Sequence, residues 1–94
     1  MTKHEIIAVL KAKRETLEAN GATGLYAFGS QMRGDAQVDS DLDLIVDHEP
    51  GFTLTRLAHL ETILRDVSGL SVHVTTLGSV PASAFSAIDP VQIY

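Results

Sequence analysis

A chain of 94 residues, with seven Lys and Arg against twelve Asp and Glu for a net charge of −5, has room for one thin-cored domain over residues 1–94 and the wrong sign to grip a phosphate backbone non-specifically. The absence of cysteine excludes disulfide scaffolds, thiolate zinc sites and cysteine nucleophiles. Hydrophobic residues at 45% describe a sequence that folds, and with no apolar run of about eighteen residues and no signal-peptide pattern at the start, a cytoplasmic protein without membrane contact is expected.

Thr2 followed three residues later by Glu5 forms a capping box, and Ile6, Val9, Leu10 and Leu17 recur at helical spacing, predicting one helix that stops at Asn20 and Gly21. Leu25 to Phe28 is a short apolar run, a buried strand that carries Gly29 and Ser30 into a tight turn at an edge of the sheet. From Leu42 to Asp47 the pattern alternates, with Leu42, Leu44 and Val46 on one face and Asp41, Asp43, Ile45 and Asp47 on the other. Leu54, Leu57, Leu60, Leu64 and Val67 make a second long helix that Gly69 ends. Leu70 to Thr76 is another strand, with Val72 and Val74 on one face and His73 on the other. Pro81 opens a last helix reaching about Ile88, and Val91 to Tyr94 form an edge strand. Strands separated by helices predict an α/β (α+β) fold, a small mixed sheet packed with helices.

The chemistry concentrates in FGSQMRGDAQVDSDLDLIVD, Phe28 to Asp47, where Gly29-Ser30 is followed after ten residues by Asp41-Leu42-Asp43. Between Gly34 and Thr55 stand six carboxylates (Asp35, Asp39, Asp41, Asp43, Asp47 and Glu49) and no Lys or Arg, a local field that calls for a cation. Two carboxylates two residues apart on a strand set their oxygens side by side, which suits Mg²⁺, or Mn²⁺ in its place. Such ions take one or two carboxylates and fill the rest of their shell from water and nucleotide phosphates. Gly29 allows close backbone approach, Ser30 can offer its hydroxyl and nearby N–H groups to phosphate oxygens, and Arg33, one turn on, can add a charge-assisted contact. Together these features point to phosphoryl or nucleotidyl transfer.

The string Gly29-Ser30, ten residues, Asp41-x-Asp43, with Arg33-Gly34 inside it and Ser40 just before the acids, resembles the DNA polymerase β nucleotidyltransferase superfamily. Within it the chain is most similar to the minimal nucleotidyltransferases (MNT), often paired as antitoxins with a helical HEPN toxin, and the resemblance runs over essentially the whole chain. It implies that Gly29, Ser30, Arg33 and Ser40 bind the nucleotide, ATP or another NTP, while Asp41 and Asp43 are catalytic and hold the metal. Family members usually carry a third acid on the strand after the next helix, and the matching position here is His73. Asp47 is a poor replacement, because four residues of strand put it ~13 Å from Asp43. Asp39 could reach in from the loop, and neutral His73 could serve as a base or bind a softer metal.

Plainer readings stand beside these. Ser30 could be a helix N-cap, Arg33 could form a surface ion pair with Asp35 or Asp39, and His73 could be an ordinary sheet histidine. His4, His48 and His59 lack metal-ligand spacing, Arg33-Gly34-Asp35 matches an adhesion tripeptide by chance, and no hydrolase triad is visible. Three functions follow. The first is an enzyme that moves AMP from ATP to a hydroxyl, typically a tyrosine, of a HEPN-type toxin. The alternative is a catalytically impaired protein of the same fold that acts as antitoxin or scaffold by contact alone. Transfer to a small molecule such as an aminoglycoside ranks last, since it would need a further domain to grip the acceptor. Both leading readings predict association, with a partner or as a homo-oligomer.

Overall fold

The computed structural model describes residues 1–94. Its centre is a four-stranded mixed sheet of β1 (Ala22–Phe28), β2 (Leu42–His48), β3 (Val72–Thr76) and β4 (Val91–Gln92), in the spatial order β3-β2-β1-β4. β1 pairs antiparallel with β2 and β4, and β2 pairs parallel with β3. The alternation in β2 is observed as predicted: Leu42, Leu44 and Val46 are fully buried in the core with Leu25 and Ala27 of β1. Ile45 is buried too, on the opposite face, so that face is not wholly solvated.

The helices are α1 (Lys3–Ala12), α2 (Arg14–Ala19), α3 (Ser30–Arg33), α4 (Leu54–Ser68) and α5 (Ala82–Ile88). Ile6 and Leu10 of α1, Leu17 of α2, and Leu60 and Leu64 of α4 join the β1 and β2 side chains in one core, so these helices cover one face of the sheet. Over the other face Phe85 of α5 meets Tyr26 of β1 edge-on, with ring centroids 5.1 Å apart. No helix is long and apolar enough to cross a membrane.

Three expectations are corrected. The leading helix is two helices, broken at Lys13, whose φ and ψ of −103° and 12° leave the helical range. The break lets α1 lie against α4 while α2 lies against β1. β1 begins at Ala22 rather than Leu25, because Ala22 and Gly24 pair with His48 and Asp47 across an irregularity in register. β1 is also an interior strand, so Gly29-Ser30 leaves the sheet at a strand end and not at a lateral edge.

One end of the sheet gathers the chemistry. Phe28, the last residue of β1, is opposite Asp43, and Asp43 is opposite His73. Because β4 runs antiparallel to β1 with Val91 beside Ala27, the turn from α5 into β4 reaches the same end.

Candidate active site

Gly29 leaves β1 with φ 79° and ψ −159°, a conformation open essentially to glycine alone, and serves as the N-cap of α3. Its missing side chain makes room for an acid: a Cβ at this position would collide with Oδ2 of Asp43. The motif's two halves, apart in sequence, are therefore in contact at Gly29 and Asp43. Ser30 is the first helical residue and not the cap, and it lines a cleft.

That cleft, about 770 Å³, is lined by the polar residues Ser30, Arg33, Asp43 and Lys3. Its apolar wall is formed by Phe28, Met32, Ile88 and Val91, with Asp89 at the turn into β4. Asp89 is the one non-glycine residue with positive φ, at 49°. It ends α5 in the left-handed conformation that aspartate tolerates better than most side chains.

Of the other expected residues, only Arg33 joins the lining of this cleft. Arg33 reaches the cleft and also pairs with Asp35, Nε to Oδ2 3.3 Å, through side chains 65% and 63% exposed. A pair that open is worth only about 0 to 1 kcal/mol and gives way readily to a stronger anion. His73 lies beside Asp43 as the register requires, Nδ1 to Oδ1 3.6 Å, on the exposed side of β3. Asp41, just ahead of β2, is exposed and outside the cleft lining. Ser40 is occupied in the connecting loop, where its hydroxyl accepts from the Gln37 N–H at 2.8 Å and its carbonyl accepts from the Gln31 amide at 3.1 Å. It braces the loop against α3. Asp39 is exposed in the same loop, and Asp47 is exposed at the far end of β2.

Asp43 offers hard oxygen donors from a side chain only 28% exposed, seated over a glycine, and Asp41 precedes it by two residues. No group of three or more His, Asp or Glu side chains converges to hold a metal by protein ligands alone. That donor set fits a Mg²⁺-like ion that draws most of its shell from water and phosphate. Lys3 and Asp89 have no equivalent in the motif and were not expected. Asp89-Pro90 reads in sequence as any turn, and Lys3 as any solvated helix start.

Residues 9–91 match the model of the nucleotidyltransferase domain family. Over 95 aligned residues, 100% of this chain and 96% of the relative, the sequence is 37% identical to the protein adenylyltransferase MntA of Thermococcus cleftensis. A solved structure described as a minimal nucleotidyltransferase superposes with a TM-score of 0.78 at 31% identity, covering 94% of this chain and 90% of that one. A toxin–antitoxin crystal structure with AMP-PNP superposes with a TM-score of 0.69 over 100% of this chain and 73% of its own, and at 19% identity it supports the fold alone. The sequence match across the motif, the helices and the closing strand, on a sheet that seats Asp43 against Gly29, leads to one conclusion: the chain belongs to the nucleotidyltransferase domain family and is a transferase.

Proposed function

We propose that the protein transfers AMP from ATP to a hydroxyl of a protein partner, a helical HEPN-type toxin that it thereby neutralises. The observation that carries this reading is the seating of Asp43 over Gly29 in a cleft that also presents Ser30 and Arg33. The name of the Thermococcus relative, protein adenylyltransferase, supports adenylyl transfer to a protein, and a chain of this fold occurs in a toxin–antitoxin complex with AMP-PNP. A cytoplasmic setting, where ATP is at hand, fits the same reading.

In this reading Gly29, Ser30 and Arg33 hold the phosphates, with Arg33 exchanging Asp35 for a phosphate at little cost. Asp41 and Asp43 would hold Mg²⁺ or Mn²⁺, which when bound neutralises phosphate charge and helps to ionise the acceptor hydroxyl. The acceptor oxygen bonds to the α-phosphorus as the bond from that phosphorus to its β-bridging oxygen breaks. Pyrophosphate leaves with the electron pair of that bond, and the hydroxyl proton passes to the His73 imidazole. Ser40 acts indirectly, by fixing the loop that presents Asp41.

One observation favours a second reading, in which the protein binds its partner without modifying it: the position beside Asp43 on β3 holds His73, not an acid. The purified protein, its partner, ATP and Mg²⁺ separate the two. A partner mass increase of one AMP, reduced on the order of 10²-fold or more in Asp41→Asn and Asp43→Asn, is the result expected of the enzyme. An unmodified partner in a stable complex would establish the binding protein, and activity appearing only in His73→Asp would locate the missing group.

A further inference from the structure

We infer that Lys3 is an additional nucleotide-binding residue, holding the β- and γ-phosphates of the triphosphate, the portion that departs as pyrophosphate. The inference rests on the nucleotidyl-transfer reading above and deepens it by assigning the far end of the substrate. Lys3 lines the same cleft as Ser30, Arg33 and Asp43, although in sequence it stands far ahead of that motif. The start of α1 lies against α3, and Lys3 also borders a smaller cavity shared with Gln31 and Gly34, so the residue sits alongside the phosphate-facing turn.

Two features of Lys3 lack a structural reason. It is the first residue of α1, the end of a helix where a cation is disfavoured by the macrodipole. Its ammonium also forms no ion pair with any acid of the chain, whereas Arg33, the other cation lining the cleft, is paired with Asp35. A cation at an unfavourable helix end, without a partner and facing a cleft, is placed for an anion that arrives from outside. The triphosphate is such an anion. In a chain of net charge −5, with Asp43 and Asp89 in the same cleft, binding it requires cations from the cleft walls. An ammonium on a flexible stem suits terminal phosphates, whose oxygens present charge in several directions.

The experiment measures the affinity of the full chain for ATP and for AMP, each with Mg²⁺, in wild type, Lys3→Gln and Lys3→Arg. Lys3→Gln is expected to weaken ATP binding about tenfold, the value of one charge-assisted contact, and to leave AMP binding within about twofold. Lys3→Arg should restore most of the loss. The thermal midpoint of Lys3→Gln should hold or rise, because a cation has left the wrong end of α1, and this separates lost binding from lost folding. Equal ATP affinity in wild type and Lys3→Gln overturns the inference and leaves the site reading intact, as does an equal loss for ATP and AMP. A wild-type protein that binds no ATP removes the site reading itself, and this assignment with it.

Discussion

A methyl group at position 29 would have no space, since φ there is 79° and the direction of a Cβ is taken by Oδ2 of Asp43. Gly29→Ala is therefore expected to cost about 1 to 3 kcal/mol in strain. It should also displace Asp43, and a misplacement near 1 Å at a reacting centre is enough to lower turnover on the order of 10²-fold. Chemical denaturation and initial-rate measurements check the two effects separately, and an active variant of unchanged stability would refute the contact. At this scale the nearness of the glycine-serine turn to the acid-bearing strand was legible from the motif, whereas the packing of Asp43 on Gly29 was not. His73 was legible in part: alternation put it on the face away from Val72 and Val74 and the family resemblance pointed to it, while its place opposite Asp43 comes from the parallel register in the structure. Lys3 and Asp89 were not, because their place at the cleft depends on where the two ends of the chain fold back, which no local pattern encodes.

Among the elements, α1 shows how local signals succeed and where they stop. Its start was readable, and the capping box is formed: the Thr2 N–H donates to Glu5 Oε1 at 2.9 Å, and the Glu5 N–H donates to Thr2 Oγ1 at 3.2 Å. Its end was not, because no Gly or Pro marks Lys13, where the chain passes from α1, packed on α4, to α2, packed on β1. α4 ends where the sequence indicates, at Gly69, which turns left-handed at φ 70°, and its start at Leu54 is capped by Thr53, whose hydroxyl accepts from the Arg56 N–H. In the capping box, the backbone N–H of Thr2, then the Thr2 hydroxyl, hold the Glu5 carboxyl below its ordinary value of 4.5. A carboxyl with a depressed folded pKa stabilises above its unfolded pKa, and that contribution disappears as pH falls through the folded value. Glu5→Gln should thus lower the thermal midpoint at pH 7, with the gap to wild type closing on the acid side of pH 4.5. A gap that persists unchanged into acid would show that the carboxylate charge contributes nothing.

On the scale of the molecule, the sheet order lays the closing strand β4 beside β1, and the closing segment is held there by Tyr94. β4 spans only Val91–Gln92, too few residues to hold an edge by itself. Beyond it the Tyr94 hydroxyl donates to the Ala22 carbonyl at 2.9 Å, the Leu25 N–H donates to the Tyr94 carbonyl at 3.2 Å, and the Arg14 guanidinium lies 5.0 Å from the ring centroid. The same segment carries Asp89 and Val91 to the cleft, so the latch at one end of β1 helps to set the cleft wall at the other. Burial, then the nearby charge of Glu18, push the Tyr94 phenol up from 10.0 to about 12, against the opposing pull of Arg14. Because the folded state favours the neutral phenol, this stabilisation is complete below pH 10 and is lost as pH rises towards about 12. Tyr94→Phe removes the hydrogen bond and cannot ionise, so it should be less stable than wild type by about 1 kcal/mol at neutral pH. Thermal midpoints of the two proteins, compared across alkaline pH, should stay a fixed distance apart up to pH 10 and converge between there and about 12. Parallel curves through that interval would mean that the phenol is open to water and that the C-terminal latch is held by its backbone bonds and the Arg14 contact alone.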